Sequence, residues 1–169
     1  MLRIELAGRP LVLLPDKAAY LPEVETLLVA DAHIGKAVSF RKLGVPVPRG
    51  TTSGNLQRIT ALVAQTQAKR VVFLGDFLHS ERSHAASTLG ALARWRATHS
   101  QLELTLVRGN HDERAGDPPP SARFEVVDEP LMLGGFALCH YPKPRVGHFV
   151  LAGHSHPCVS LGGRAYDHL

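Results

Sequence analysis

Short apolar runs alternate with polar stretches along this chain, and the runs set the elements to expect. Eight of them read as strands: residues 2–6, 11–14, 26–30, 70–74, 102–107, 124–127, 136–139 and 149–152. Two segments carry helical spacing instead. Within 55–67, Leu56, Ile59, Leu62 and Val63 share one face, and within 84–98 Leu89, Leu92, Ala93 and Trp95 do much the same. Strand–helix–strand alternation over the first two thirds predicts an α/β fold with a largely parallel centre. The last third reads as strands and turns without a helix. Pro118, Pro119 and Pro120 stand in a polar stretch that reads as a surface loop rather than a linker, so residues 1–169 are expected to form one domain.

The residues just past each run matter more than the runs themselves. Residues 26–30 lead into Asp31-Ala32-His33, 70–74 into Gly75-Asp76, and 102–107 into Gly109-Asn110-His111-Asp112. Residues 136–139 end at His140, and 149–152 lead into Gly153-His154-Ser155-His156. Five expected strands thus end in carboxylate, imidazole or carboxamide groups. In open α/β sheets the carboxyl ends of the strands form the ligand crevice, so these groups should converge.

Composition narrows the class. A chain of 169 residues and 18.3 kDa buries about 70% of its unfolded surface, enough for one core without staples. A hydrophobic share of 44% and a mean hydropathy of −0.02 fit a soluble globule. The longest apolar runs hold four residues, against about 20 for a membrane span. The first residues carry no signal-peptide core, so a cytoplasmic location is expected. Cys139 and Cys158 make no disulfide framework and are expected to be small buried residues. A net charge of +4 mildly favours polyanionic partners. Ten histidines are many for so short a chain, and the strand-end motifs absorb several of them.

Each motif alone is weak; an isolated Asp-x-His or Gly-Asp is usually a turn. In this order, from Asp31 to His156, the five resemble the calcineurin-like metallophosphoesterases. The resemblance implies a β-sandwich flanked by helices (αββα) and a binuclear metal site. It places Asp31, His33, Asp76 and His156 around a first ion, with Asp76 shared by a second that also takes Asn110, His140 and His154. Two divalent ions about 3.5–4 Å apart clamp a phosphate, and a hydroxide between them attacks phosphorus. Carboxylates, a carboxamide and neutral imidazoles are the donors such a pair needs. His111 matches the family's histidine that touches the phosphate or protonates the leaving oxygen, with Asp112 orienting it. His79, three residues beyond Asp76, is a further candidate for phosphate contact. His84, His99, His148 and His168 read as surface or capping residues.

The flanks resemble one branch of that family. Asp31-Ala32-His33-Ile34-Gly35-Lys36-Ala37, then Phe40-Arg41, residues 45–52 and residues 74–80, are similar to the bacterial ligase-associated DNA-damage-response metallophosphoesterases. That likeness implies a manganese-dependent phosphodiesterase able to nick DNA, alongside a ligase, an exonuclease and a helicase. With the net charge of +4 and the basic cluster after the first motif, single-stranded or locally opened DNA is the expected target. Lys36, Arg41, Lys42 and Arg49 are either a solvated face or a basic lip for the polynucleotide backbone. The sequence ends thirteen residues after His156, where relatives carry further strands. Either it is cut short or those C-terminal strands are absent. Two other readings stay open: a phosphatase or nucleotide hydrolase on small phosphoesters, and a non-catalytic scaffold, which would be expected to have lost ligands.

Overall fold

The computed structural model describes residues 1–48 and 50–156. Seven strands form the larger sheet in sequence order: β1 (Leu2–Leu6), β2 (Arg9–Leu14), β3 (Ala18–Leu21), β4 (Thr26–Val29), β5 (Arg70–Leu74), β6 (Glu103–Val107) and β7 (Phe124–Val127). The first four run as an antiparallel meander, whereas β4 to β7 are mutually parallel. The parallel half needs three crossovers: α2 (Thr51–Thr66) serves between β4 and β5, α3 (Ala86–Thr98) between β5 and β6, and the short helix over Asn110–Ala115 with the loop after it between β6 and β7. A second sheet of three strands, β8 (Leu131–Leu133), β9 (Phe136–Cys139) and β10 (Phe149–Ala152), has β9 at its centre, antiparallel to β8 and parallel to β10. Two shorter helices, α1 (Lys36–Lys42) and α4 (Asn110–Ala115), open directly beside strand-end motifs.

The continuous apolar runs of β4, β5 and β6 are explained by burial on both faces. Leu27, Val29, Val71, Phe73, Leu104 and Leu106 face the helices, where they pack with Leu56, Ile59, Leu62, Leu92 and Trp95. The alternate residues Leu28, Val72, Leu74 and Val107 pack on Phe136 and Leu138 of the second sheet and on Leu11 and Leu21. Both layers are therefore fastened to one stiff set of parallel strands. Three of the four layers of the αββα arrangement are accounted for; among the described residues no helix covers the outer face of the three-stranded sheet.

The expected strands are all present, and both expected helices form, α2 starting four residues earlier than its apolar spacing suggests. Hydrophobic patterning does not disclose β3, β8, α1 and α4, each of seven residues or fewer.

Candidate metal centre

The five strand-end motifs meet at one end of the sandwich. The loops after β4 and β5 hold each other by backbone bonds: His33 N–H donates to Asp76 O at 2.8 Å, Ile34 N–H to Phe77 O at 2.7 Å, and His79 N–H to Ile34 O at 3.2 Å. Beneath them Ile34, Phe77 and Leu78 are fully buried in the helix-side core, so these loops are anchored rather than draped. The two sheets are joined here as well, since His154 N–H donates to Asp31 Oδ1 at 3.1 Å.

The side chains form two adjoining donor groups. In one, ligand atoms of Asp31, His33 and His156 all lie within 4.8 Å of one another; in the other, so do those of Asp76, His140 and His154. The second shows most directly that a cation fits. His140 Nδ1–H donates to the Leu74 carbonyl at 3.0 Å, which leaves Nε2 as a lone pair. That lone pair faces Asn110 Oδ1 at 3.0 Å, His154 Nδ1 at 3.1 Å and Asp76 Oδ1 at 3.5 Å. Such a convergence of acceptors is repulsive unless a proton or a metal ion sits among them. Carboxylate, carboxamide and imidazole donors in this number suit a divalent ion. In the first group His33 and His156 stack at 5.4 Å between centroids with their Nε2 atoms 3.4 Å apart. Burial holds the His33 pKa down to about 4, helped by His111, Lys36 and His79 and opposed by Asp76. His33 is thus neutral near pH 7, the form that ligates. Lys17 donates to His156 Nδ1 at 2.9 Å, which puts that ring's proton on Nε2; ligation through Nε2 requires the Lys17 contact to yield.

Backbone strain marks the same residues. Asp31, His33, Asp76, His154 and His156 all have positive φ, between 42° and 68°, in the left-handed region that non-glycine residues seldom enter. Clustered strain of this kind accompanies functional sites, where the fold holds side chains at angles that local preference would refuse. Steric space is equally constrained. A Cβ on Gly75 would strike the His140 ring, and one on Gly109 would meet Asp76 Oδ1 at 2.5 Å. Gly75→Ala is therefore expected to displace His140 and to lower bound metal, measured by elemental analysis, while Gly8→Ala, whose Cβ would meet nothing within 4 Å, leaves metal content unchanged.

A third cluster adjoins the donors. His33, His79 and His111 bring ring nitrogens within 4.8 Å of one another, with His79 stacked on His111 at 4.9 Å. The His111 ring is oriented by the His79 carbonyl, to which its Nδ1–H donates at 2.7 Å, so Nε2 is the nitrogen left for chemistry. The expectation that Asp112 orients His111 is therefore corrected. Asp112 is fully buried and accepts the N–H groups of Leu78 and Gly109 at 2.9 and 3.0 Å, bracing the loops below the site. Burial raises its pKa, and these backbone donors hold it down in part. His79 has its pKa lowered, first by burial and then by His111 and Lys36.

Other histidines have structural partners. His84 bonds the Ala115 carbonyl at the end of α4, and His99 bonds Thr60 beside Trp95. Cys139 is fully buried and belongs to none of the donor groups; Cys158, His168 and Arg49 lie outside the described residues. Of the basic stretch, Arg41 is spent on the Val47 and Pro48 carbonyls, and Lys36 lies over Phe40. Supporting residues that the sequence does not disclose are Glu129, which accepts the N–H groups of His140 and Tyr141, and Tyr141, whose ring packs on both His140 and His154. Tyr141 adjoins a motif histidine in sequence; Glu129 carries no local signal.

An αββ frame with carboxylates and imidazoles at five strand ends defines a metal-dependent phosphoesterase. The sequence profile of calcineurin-like phosphoesterases matches residues 25–140, and the chain belongs to that family. It is accordingly a hydrolase of the metallophosphoesterase class, whose members use divalent metal ions. The crystal structure of the Pseudomonas putida nuclease MPE superposes with a TM-score of 0.84 at 47% sequence identity, covering 92% of this chain and 74% of that one. No curated protein matches the sequence. No helix of the described residues is long and apolar enough to cross a membrane.

Proposed function

We propose that this chain is a binuclear, manganese-dependent phosphodiesterase that cuts single-stranded DNA internally. The observation that carries the reading is the pair of adjoining donor groups, with a histidine cluster that shares His33 with the first of them. Asp31, His33 and His156 would hold one ion, Asn110, His140 and His154 the other, and Asp76 would serve both. Its place with His140 and His154, and the effect of its charge on His33, support that shared role. When bound, the ions supply Lewis-acid polarisation of the phosphate and an activated water. His111 would act as the imidazolium: Nδ1–H stays on the His79 carbonyl while Nε2–H gives a hydrogen bond to the phosphate or its proton to the leaving oxygen, after which Nε2 is reprotonated from water. His79 shares the phosphate contact. A donor set that mixes oxygens with four imidazoles suits a transition-metal ion better than Mg²⁺ or Ca²⁺, and Mn²⁺ is proposed from the likeness of the flanks to manganese-dependent relatives. Likeness to a nuclease at 47% identity and the net charge of +4 support a polynucleotide substrate. The cellular setting proposed is cytoplasmic DNA repair, in company with a ligase, an exonuclease and a helicase.

The test offers Mn²⁺-loaded protein a circular single-stranded DNA, a chromogenic phosphodiester and the matching monoester. The circle is expected to be linearised and the diester hydrolysed faster than the monoester. An intact circle with rapid monoester hydrolysis would assign the site to small phosphoesters instead.

A further inference from the structure

We propose that the pocket beside Asp31 and His33 receives an unpaired nucleobase adjacent to the scissile phosphate, so that the enzyme selects nucleotides released from a duplex. This rests on the nuclease reading above and names the feature of the strand that is recognised.

The pocket holds about 660 Å³ and lies between the β2–β3 turn, α1 and the start of α2, with the buried His33 and the exposed His156 also lining it. Its volume falls within the range of about 300–1,000 Å³ usual for small-molecule sites. The floor is apolar, built by Val29, Ile59 and Leu62, and one wall is the Phe40 ring. A groove for phosphates alone has no use for such a floor. Phe40 also continues the aromatic tier of the centre: it lies 6.1 Å from His79 at 21° between ring planes, and His79 lies 4.9 Å from His111 at 20°. Near-parallel rings thus lead from the proton donor at the phosphate into the pocket. A flat base with π faces fits that series.

The rim carries a net positive charge of the kind a phosphate backbone needs, three cations against Asp16, which pairs with Arg58 at 3.8 Å. Lys17, Lys36 and Arg58 stand around the opening, and Lys36 Nζ sits 5.8 Å from the Phe40 centroid. Asn55 also lines the wall, its carboxamide donating to the Ala32 carbonyl at 3.3 Å, which keeps a polar group near where a base edge would come. A base paired inside a duplex is stacked on both sides and cannot enter, so occupancy requires a single strand or an opened site. Selection for unpaired DNA would then arise from shape, without reading sequence.

The test uses an end-labelled single-stranded oligonucleotide with Mn²⁺, its cuts mapped linkage by linkage, beside the same strand carrying one central abasic nucleotide. A linkage next to the abasic position is expected to be cut about 5- to 150-fold more slowly, the range carried by one base stacked on one aromatic ring. Equal cutting at every linkage of both strands overturns the proposal. In parallel, Phe40→Ala should lower the ratio of kcat/KM on DNA to kcat/KM on the chromogenic diester by a similar factor. Equal losses on both substrates would show that Phe40 serves the centre and not a base. If the unmodified strand is not cut while the small diester is, the nuclease reading itself falls, and the base pocket with it.

Discussion

Asp76→Asn protein is expected to fold, to lose at least one of two bound ions, and to lose turnover by about 10³-fold or more. The substitution keeps the oxygen that accepts the His111 N–H at 3.0 Å and changes little in volume. It removes the charge, in a residue only 2% exposed. A shared carboxylate compensates both ions, and Lewis-acid stabilisation of phosphoryl transfer amounts to several kcal/mol, about 1.4 kcal/mol for each factor of ten in rate. Elemental analysis of metal-supplemented protein checks the first part and diester kinetics the second. Two ions retained with near-normal kcat would remove Asp76 from the centre of the scheme. Circular dichroism of the variant separates loss of metal from loss of fold.

His111→Ala is expected to lower kcat on DNA by about 10²–10⁴-fold, the usual range for a proton donor, with metal content unchanged. The structural motive is the ring's orientation: Nδ1–H is committed to the His79 carbonyl, so in the imidazolium form the Nε2 proton is the one available to a leaving oxygen. A nitrophenolate leaves without a proton, so the loss on a nitrophenyl diester should be much smaller than on DNA. The competing outcome is informative because His111 also stands among ring nitrogens that could hold an ion. Metal lost from His111→Ala protein would make it a ligand rather than a proton donor.

Much of this site is legible in the sequence, because a strand's end is where side chains leave the pleat and face one crevice. Asp31, Asp76, Asn110, His140 and His154 each stand just past an apolar run, where such groups are readily picked out. His79 is ambiguous on spacing alone; the backbone bond from His79 N–H to the Ile34 carbonyl is what turns it inward. The elements that patterning does not disclose have physical reasons for escaping it. β3 begins with two alanines, which have weak strand preference, and is held by its neighbours on both sides. α1 opens after Gly35 at a φ of 84° with no side-chain cap, so the usual start signal is missing. Asp112 adjoins a motif histidine, and adjacency suggests a catalytic partner. Its carboxylate is instead taken up by the N–H groups of Leu78 and Gly109, the first a contact across thirty-four residues that spacing does not reveal. The left-handed backbone at five candidate ligand positions is likewise invisible, since it is imposed by the fold against local preference.

The Asp31 carboxylate and the His154 backbone, 123 positions apart in the chain, are bonded across the two sheets. The centre therefore has no local precursor. Neither the segment that ends with Asn110 nor the one that begins at His140 holds a complete set of donors. Contacts of such long range carry the largest loop-closure penalty and form only when the intervening chain is already arranged. An ion that requires both halves recognises the finished fold and none of its parts. The same residues that would perform the chemistry would thus act as a checkpoint on assembly: a chain that has not docked β9 and β10 against β4, β5 and β6 would lack a complete set of donors for the metal, and with it the means of hydrolysis.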